Sequence, residues 1–511
     1  MVAGAERVGE NVGRLLERHV AAGADRPFLH FEDVDTSQRL EISYGEALHR
    51  AGRVAAVLAD HGIGAGDRFH VHLTNRPEFY DCWFAAALLG AVIVPTNPLL
   101  TIDELRFVVE HAGCGLSISE PDLLQTAEDA QGGTILVAGD SLAEQFGSAD
   151  PLEAGDHGAE TLLAVLYTSG TTSQPKGVLV SHAAYVYCGE AVAQHIRLTP
   201  DDRQLIVLPL FHGNAQYYST MSALVTGASI ALASRFSASR WSAQARDLGA
   251  TVASLFAAPI RMILAAEPGD ADREHALRLV LFAQNVSDAQ LDEFEERFGV
   301  PLAQLYGMTE TVAPPTINPI YGERRNATIG PPTLSARVRV IDEDGNDVEP
   351  GEPGQLLVGG EPGVTLMNGY LDNPEATEKS LRDGWLYTGD QVRLLEGGYL
   401  EFVDRDKDLI KRAGENVSTV EVERVIDEHP AVQESAVLGL PDEMYDHVVG
   451  AFVVLREGAE CDADELIGFC AERLAKFKVP ARVEFMSELP RTPVGKIQKH
   501  EIRASVEQAQ Q

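Results

Sequence analysis

Short apolar runs alternate with helical patterns between about residues 158 and 330. The runs 205–210 (LIVLPL), 228–233 (ASIALA) and 278–283 (RLVLFA) each have the length of one strand. This alternation predicts parallel strands connected by helices, which is an α/β architecture. From about residue 331 the runs become shorter and are separated by turns such as DEDGND, which predicts a β-rich subdomain.

The length of the chain requires more than one compact unit. At about 100–200 residues per domain, 511 residues are too many for one core. The segment 417–505 again mixes helices and strands, and the charged stretch 404–408 (DRDKD) precedes it. We therefore predict a large N-terminal domain over residues 1–403 and a small α+β domain over residues 409–511, joined by residues 404–408.

Charge and cysteine content exclude several functions. The net charge of −36 disfavours binding to nucleic acid or to an anionic membrane surface. The five cysteines are scattered without a CxxC pair, so a disulfide framework or a zinc site is not expected and a reducing cytoplasm fits. The longest apolar run, 82–94, is too short to span a bilayer, and we expect a buried helix that leads into a strand.

A polar loop directly after an apolar strand carries the clearest chemical signal. Residues 167–177 read YTSGTTSQPKG, a run of hydroxyl residues with a glycine and a lysine. Backbone N–H groups, hydroxyls and an ammonium can together surround a polyphosphate. Pro175 and Gly177 occupy positions at which a Walker A loop needs Gly and Ser or Thr, so the loop is of another type.

This loop resembles the phosphate-loop signature of the adenylate-forming enzymes, which include acyl- and aryl-CoA synthetases, adenylation domains and luciferases. Four further segments resemble motifs of that family in the same order: 306–310 (YGMTE), 385–390 (WLYTGD), 404–414 (DRDKDLIKRAG) and 490–497 (PRTPVGKI). The C-terminal half is most similar to the carnitine- and crotonobetaine-CoA ligase branch. The resemblance implies an ATP-dependent enzyme that joins a carboxylic acid to coenzyme A through an acyl-AMP, in a cytoplasmic setting.

The resemblance also implies roles for residues around ATP. Those expected to hold the β- and γ-phosphates are Thr168, Ser169, Gly170, Thr171, Thr172 and Lys176. Thr309 would contact the α-phosphate and Glu310 would hold Mg²⁺. Tyr306 would stack on adenine, with Gln304 also at the nucleotide. Asp390 and Arg405 would contact the ribose, and Lys496 would bridge the α-phosphate and the attacking carboxylate.

Transfer to coenzyme A requires a second geometry, because Lys496 and the thiol cannot share one space. By resemblance, the C-terminal domain is mobile and rotates about a hinge at Lys407 between the two half-reactions. Gly414, Glu415 and Asn416 would then line the pantetheine channel. Lys476 and Lys478 remain open between contacts to the phosphates of CoA and a solvated helix end.

The acid is constrained by the segment 209–213 (PLFHG), in which His212 resembles the residue that gates the acyl site. Amino-acid-activating domains place an Asp nearby to pair with the ammonium, and this segment has none, so an amino acid is not expected. Residues 214–219 and 282–287 are expected to line the acyl site. Their aromatic members, Tyr217, Tyr218 and Phe282, suit an apolar acid.

Two departures from the family pattern leave alternatives open. Ser173 stands where the phosphate loop has Gly, and residues 282–285 (FAQN) replace a glycine-rich adenine segment. A variant limited to thioesterification of an adenylate made elsewhere is therefore one alternative. An enzyme that loads a separate carrier protein and a nucleotide sensor without catalysis are two others, and the oligomeric state is open.

Overall fold

The computed structural model describes residues 9–139, 150–168, 175–269, 271–284, 286–405, 409–412, 415–442, 446–474, 476–492 and 495–509. Several residues singled out in the sequence lie outside this description: Ser169, Gly170, Thr171, Thr172, Ser173, Asn285, Lys407 and Gly414. Among the described residues, no helix combines the length and the apolar character needed to cross a bilayer.

The strands are β1 (Pro27–Glu32), β2 (Arg39–Ser43), β3 (Arg68–His72), β4 (Val92–Pro95), β5 (Leu116–Ser119), β6 (Thr134–Val137), β7 (Leu162–Thr168), β8 (Lys176–Ser181), β9 (Arg203–Ile206), β10 (Ser229–Ala233), β11 (Val252–Phe256), β12 (Leu279–Ala283), β13 (Leu302–Tyr306), β14 (Thr316–Ile317), β15 (Arg337–Ile341), β16 (Pro353–Gly359), β17 (Gly369–Tyr370), β18 (Leu381–Arg382), β19 (Trp385–Leu394), β20 (Leu400–Arg405), β21 (Ile410–Arg412), β22 (Glu415–Val417), β23 (Val432–Asp442), β24 (Asp446–Leu455) and β25 (Arg482–Phe485).

The α-helices are α1 (Val12–Gly23), α2 (Tyr44–Asp60), α3 (Pro77–Leu89), α4 (Ile102–Ala112), α5 (Leu124–Ala130), α6 (His182–Ile196), α7 (Met221–Thr226), α8 (Trp241–Asp247), α9 (Ala257–Ala265), α10 (Asp288–Phe298), α11 (Pro374–Ser380), α12 (Thr419–Asp427), α13 (Ala463–Ala471) and α14 (Lys499–Ala509). A π-helix, Asn214–Thr220, runs directly into α7.

Within the described residues the strands form four sheets. Two of them are large and have parallel interiors, with the orders β17-β8-β7-β4-β3-β5-β6 and β14-β13-β12-β11-β9-β10-β1-β2. Their antiparallel pairings, β7 with β8, β8 with β17, β13 with β14 and β1 with β2, lie at or near the edges. The predicted parallel α/β layers are therefore confirmed.

The other two sheets follow in the last third of the chain. Strands β15, β16, β18, β19 and β20 form an antiparallel sheet, as the short runs and turns predicted for the β-rich part. Strands β21 to β25 form the sheet of a small C-terminal domain, which α12, α13 and α14 accompany. The predicted class, a large α/β domain with a β-rich part followed by a small α+β domain, is confirmed.

Local sequence accounts for the most buried helix. Pro77 starts α3 at a position where its missing N–H costs no hydrogen bond, and Gly90 ends the helix in the left-handed region at φ 70°. Nearly every side chain between them is buried, including those of Trp83 and Phe84. The apolar run 82–94 thus forms a buried helix followed by strand β4, as predicted.

The two large sheets meet at the carboxyl ends of their parallel strands, where ligands bind in open α/β sheets. Asn75, just after β3, joins them with its buried amide. Its Nδ2 donates to the carbonyls of Leu208 (3.0 Å) and Ala233 (3.2 Å), and its Oδ1 accepts from the Leu210 N–H (2.8 Å). The segment that follows Leu210 carries His212, so this junction positions the predicted acyl site.

Candidate active site

The described ends of the phosphate loop lie opposite each other on a hairpin. Thr168 at the end of β7 pairs in register with Lys176 at the start of β8. The Lys176 ammonium lies 5.0 Å from the centre of the Tyr370 ring, a cation–π contact. The antiparallel pairing therefore brings two of the predicted phosphate-binding residues to the base of one loop.

Glu310 lies in a short 3-10 turn, Thr309–Thr311, and is buried. The Tyr370 hydroxyl donates to its Oε1 at 2.9 Å. Burial raises the pKa of Tyr370, and the charge of Glu310 raises it further. We call Lys176, Tyr370 and Glu310 the Tyr370 cluster. Sequence reasoning missed Tyr370, which β17 carries to the edge of the sheet beside β8.

Two residues beside the predicted nucleotide site have backbone conformations that L-residues rarely adopt. Val312 directly follows the Glu310 turn and has φ 60°, and Gln284 has φ 78°. A β-branched residue at positive φ is a genuine outlier. Such outliers cluster at active sites and ligand clamps, where the surrounding structure fixes the backbone.

Tyr306 and Asp390 are brought into direct contact. Tyr306 ends β13 and its hydroxyl donates to Asp390 Oδ2 at 2.5 Å, while its ring centre lies 6.3 Å from that of Phe402. Asp390 on β19 also pairs in backbone register with Arg405 on β20. Strands β13, β19 and β20 therefore gather the residues predicted to contact adenine and ribose.

Gln304 fixes the segment that departs from the family pattern. Its Nε2 donates to the carbonyl of Gln284 at 2.9 Å, and its backbone N–H donates to Asn326 Oδ1 at 3.0 Å. Phe282 in that segment is fully buried in an apolar cluster with Phe294. The side chain that the sequence assigned to the acyl site thus packs in the core.

His212 lies at the predicted acyl site in an apolar setting. Its ring meets that of Phe256 edge-on at 5.4 Å between centres, and its Nδ1 accepts from the Asn214 N–H at 3.2 Å. Burial lowers the pKa of His212 to about 3, with a further contribution from the charge of Lys496. His212 is therefore neutral at pH 7, and the bond at Nδ1 places its proton on Nε2.

The π-helix connects the acyl segment with the segment around Thr309. The Tyr217 hydroxyl donates to the Thr309 carbonyl at 3.5 Å. The Tyr218 hydroxyl lies so close to Gly307 that a β-carbon there would overlap it. Both tyrosines are buried, and π-helical turns occur frequently at functional sites.

Lys496 comes from the C-terminal domain and acts electrostatically on His212. It is exposed and follows Gly495, whose β-carbon, if present, would lie 3.0 Å from the Ala258 side chain at the start of α9. The C-terminal domain therefore contacts the start of α9 at Gly495. The charge of the predicted catalytic lysine therefore reaches the predicted acyl gate.

The predicted CoA-binding residues are placed on separate elements of the C-terminal domain. Glu415 and Asn416 lie on β22, opposite Arg412 and Lys411 of β21. Lys478 is held by both carboxylate oxygens of Glu421, at 2.6 and 2.7 Å. Lys476 is exposed. Of the two lysines left open in the sequence, Lys478 therefore already has an anionic partner.

An ion cluster that the sequence did not reveal joins the two domains. Arg261 on α9 contacts Asp427 Oδ2 at 3.4 Å and Glu434 Oε2 at 3.9 Å. Glu434 also pairs with Arg491, whose Nη1 donates to the Gly495 carbonyl at 2.7 Å. Burial and the charge of Arg261 lower the pKa of Arg491 to about 10. We call these four side chains the Arg261 cluster; through Arg491 it binds the carbonyl of Gly495, the residue before Lys496.

Comparisons with known proteins show the family to which the chain belongs. The profile of the AMP-binding enzyme family matches residues 16–371, and that of the AMP-binding enzyme C-terminal domain matches residues 421–496. A crotonobetaine/carnitine–CoA ligase of Salmonella heidelberg is 34% identical and covers 97% of this chain and 99% of its own length. A protein of the same name from Proteus mirabilis is 35% identical, over 92% and 95% of the two chains.

Three solved structures, two of them CoA ligases by title, superpose over nearly the whole chain. The anthranilate CoA ligase AuaEII in complex with anthranoyl-AMP has a TM-score of 0.89 at 26% identity and covers 98% of both chains. ATP-bound MatB from Rhodopseudomonas palustris has a TM-score of 0.87 at 30% identity, over 97% of this chain and 99% of its own. A benzoate CoA ligase from Burkholderia xenovorans has a TM-score of 0.89 at 26% identity, over 97% and 100%.

Both relatives and two of the three structures are CoA ligases by name, and the three alternatives left open by the sequence find no support among them. The chain therefore belongs to the AMP-binding enzyme family, as an AMP-forming acyl-CoA synthetase that activates a carboxylic acid with ATP and transfers the acyl group to coenzyme A.

Proposed function

We propose that the substrate is a largely apolar carboxylic acid and that its two half-reactions use two arrangements of the domains. In the first, a carboxylate oxygen attacks the α-phosphorus of ATP and the bond to pyrophosphate breaks. In the second, the thiol of CoA loses its proton, its sulfur attacks the acyl carbon, and AMP leaves.

Two observations carry this proposal: the charge of Lys496 reaches His212, and Gly495, the residue before Lys496, lies against Ala258 at the start of α9. A neutral imidazole with its proton on Nε2 can donate to the carboxylate of the acid, while the Lys496 ammonium opposes the charge that develops at the phosphate. Tyr306 and Asp390 would hold the nucleoside on the opposite side. The negative charge of the transition state would thus be stabilised jointly by His212 from the N-terminal domain and Lys496 from the C-terminal domain.

The residues around Glu310 suit a magnesium ion. A buried carboxylate is a preferred Mg²⁺ ligand, and the nearby Lys176 offers a second positive charge for the phosphates. Mg²⁺ would supply neutralisation of charge on the phosphate oxygens. Glu310 would hold the ion, and Tyr370 would orient the Glu310 carboxylate through the hydrogen bond to Oε1.

Two further features belong to the proposal. The domain boundary at residues 404–408, with a hinge at Lys407, would let Lys496 withdraw so that Gly414, Glu415 and Asn416 approach the acyl-AMP. The five cysteines are unpaired and four of them are buried, which supports a reducing, cytoplasmic location.

An acid panel tests the function directly. Pyrophosphate release should be measured with aliphatic and aromatic acids, each with and without CoA and Mg²⁺. We expect release with apolar acids, thioester formation only with CoA, and loss of both on chelation of Mg²⁺. A protein that makes thioester only from a supplied acyl-adenylate would contradict the adenylation half of the proposal.

Removal of Arg261 should slow adenylation selectively. Arg261→Met leaves Asp427 and Glu434 without this partner, and the domains can separate to hydrate the carboxylates. We expect a loss of about 1–2 kcal/mol in the arrangement that brings Lys496 to His212, or about 5–30-fold in adenylation rate. Acyl-AMP formation and thioester formation from supplied acyl-AMP should be measured separately.

Arg246→Met is the matched control for this change. Arg246 pairs with Asp247 and Glu274 on the surface of the N-terminal domain, so both half-reactions should keep their wild-type rates. If Arg261→Met slows both half-reactions equally, the Arg261 cluster does not select one domain arrangement.

A further inference from the structure

The amide of Asn214 is buried without the hydrogen bonds that it can make. Asn214 is 3% exposed, and neither its Nδ2 nor its Oδ1 has a hydrogen-bond partner among the described residues. An asparagine amide offers two donors and an acceptor, and burying them unpaired is unfavourable. A partner from outside the chain would remove that cost.

A nearby amide shows that the fold can satisfy such a group. Asn75 is 6% exposed and its side chain makes three hydrogen bonds to backbone groups at the junction of the two large sheets. Asn214 lies two residues after His212 at the same junction, yet its amide atoms lack such bonds within the described structure. The two amides therefore differ in hydrogen bonding although they lie at the same junction, and the unsatisfied one belongs to the segment that carries His212.

The position of Asn214 points to the acid. It begins the π-helix, and its own N–H binds His212 Nδ1. Residues four apart lie on one side of a helix, so Asn214 shares a side with Tyr218, whose hydroxyl lies against Gly307. Asn214 therefore lies on the side of the π-helix from which Tyr218 approaches the segment that carries Tyr306 and Thr309.

We infer that Asn214 is a specificity-determining residue that hydrogen-bonds a hydroxyl group on the otherwise apolar body of the acid. A hydroxyl donates to Oδ1 and accepts from Nδ2, so one small group satisfies both amide atoms. The segment 204–226 has no Asp or Glu to pair with an ammonium. This inference rests on the proposed function and adds to it the chemical class of the acid.

Matched pairs of acids test the inference through kcat/KM for pyrophosphate release. The pairs are benzoate with 2-, 3- and 4-hydroxybenzoate, and hexanoate with its 2- to 6-hydroxy derivatives. We expect wild type to prefer one hydroxy acid over its parent by about 10–100-fold, the effect of one or two hydrogen bonds. In Asn214→Leu, which has a similar volume, the preference should disappear or reverse, with a gain for the parent acid.

Gln244→Leu is the control for a purely structural effect. Gln244 on α8 is 1% exposed, and its amide atoms likewise have no partner in the described structure. Both substitutions replace a buried unpaired amide by an apolar group, so both should raise the thermal midpoint. Only Asn214→Leu should change the preference between a hydroxy acid and its parent.

The outcomes separate this inference from the function on which it rests. Pyrophosphate release from parent acids with equal selectivity in wild type and Asn214→Leu overturns the inference and leaves the proposed function standing. A preference for an α-amino acid also overturns it, because the partner would then be an ammonium. If no acid in the panel gives pyrophosphate, the proposed function and the inference both fall.

Discussion

Lys496→Ala is expected to lower the rate of acyl-AMP formation by about 10²–10³-fold, which is the scale for removing one preorganised charge-stabilising group. Lys496 is the cationic side chain that the C-terminal domain brings to His212. Its ammonium would stabilise the negative charge that develops between the carboxylate and the phosphate. In the alanine variant only water remains to solvate that charge. The measurement is single-turnover formation of acyl-AMP with a saturating acid.

The second half-reaction distinguishes this role from a general defect. Thioester formation from a supplied acyl-AMP should stay close to the wild-type rate, because the proposed rotation removes Lys496 from the site before the thiol attacks. Arg482→Ala is a useful comparison, since Arg482 pairs with Glu484 on the exposed surface of the same domain and should leave both half-reactions unchanged. An equal loss in both half-reactions would show that Lys496 does not act in adenylation alone.

The sequence was informative wherever function requires a contiguous segment. The run 82–94 predicted a buried helix followed by a strand, because it is apolar, too short to span a bilayer and ends at Pro95. The loop 167–177 predicted phosphate binding, since its hydroxyls, glycines and lysine are close together in the chain, and the segment 306–310 predicted nucleotide binding through its resemblance to a family motif. Both assignments stay predictions.

Pairs formed across the fold could not be predicted in this way. Tyr370 reaches Glu310 from 60 residues away, and Arg261 reaches Asp427 across 166 residues. In the sequence each partner is an ordinary polar side chain. The pairing of β17 with β8 brings Tyr370 to Glu310, and the docking of the C-terminal domain brings Asp427 to Arg261. The packing of Phe282 is a similar case, because alternation along β12 decides which of its residues face the apolar cluster that contains Phe294.

Acidification from pH 7 to pH 5 should destabilise the N-terminal domain strongly through three buried histidines. Burial lowers the pKa of His70 to about 3, with His72 contributing, and that of His72 to about 4. Burial, with His157 contributing, lowers the pKa of His182 to about 3. Below pH 6.5 the unfolded chain therefore binds more protons than the folded one. The free energy of unfolding decreases as the pH is lowered.

The expected loss is about 2 kcal/mol for each of the three histidines at pH 5, or about 6 kcal/mol together. That is a large fraction of a typical domain stability of about 5–15 kcal/mol. Asp81 offsets part of it, because burial raises its pKa to about 6 and protonation then favours the folded state by about 1 kcal/mol.

Urea unfolding at pH 7 and pH 5, followed by tryptophan fluorescence, measures the effect, because Trp83, Trp241 and Trp385 all precede residue 403. His182→Asn should reduce the loss between the two pH values by about 2 kcal/mol, and the double variant His70→Gln/His72→Gln by about twice that. The exposed His500, changed to Gln, is the control and should leave the loss at its wild-type size. If the histidine variants keep the full wild-type loss, these buried imidazoles do not cause the acid sensitivity. Carboxylates that gain protons on unfolding would then be its source.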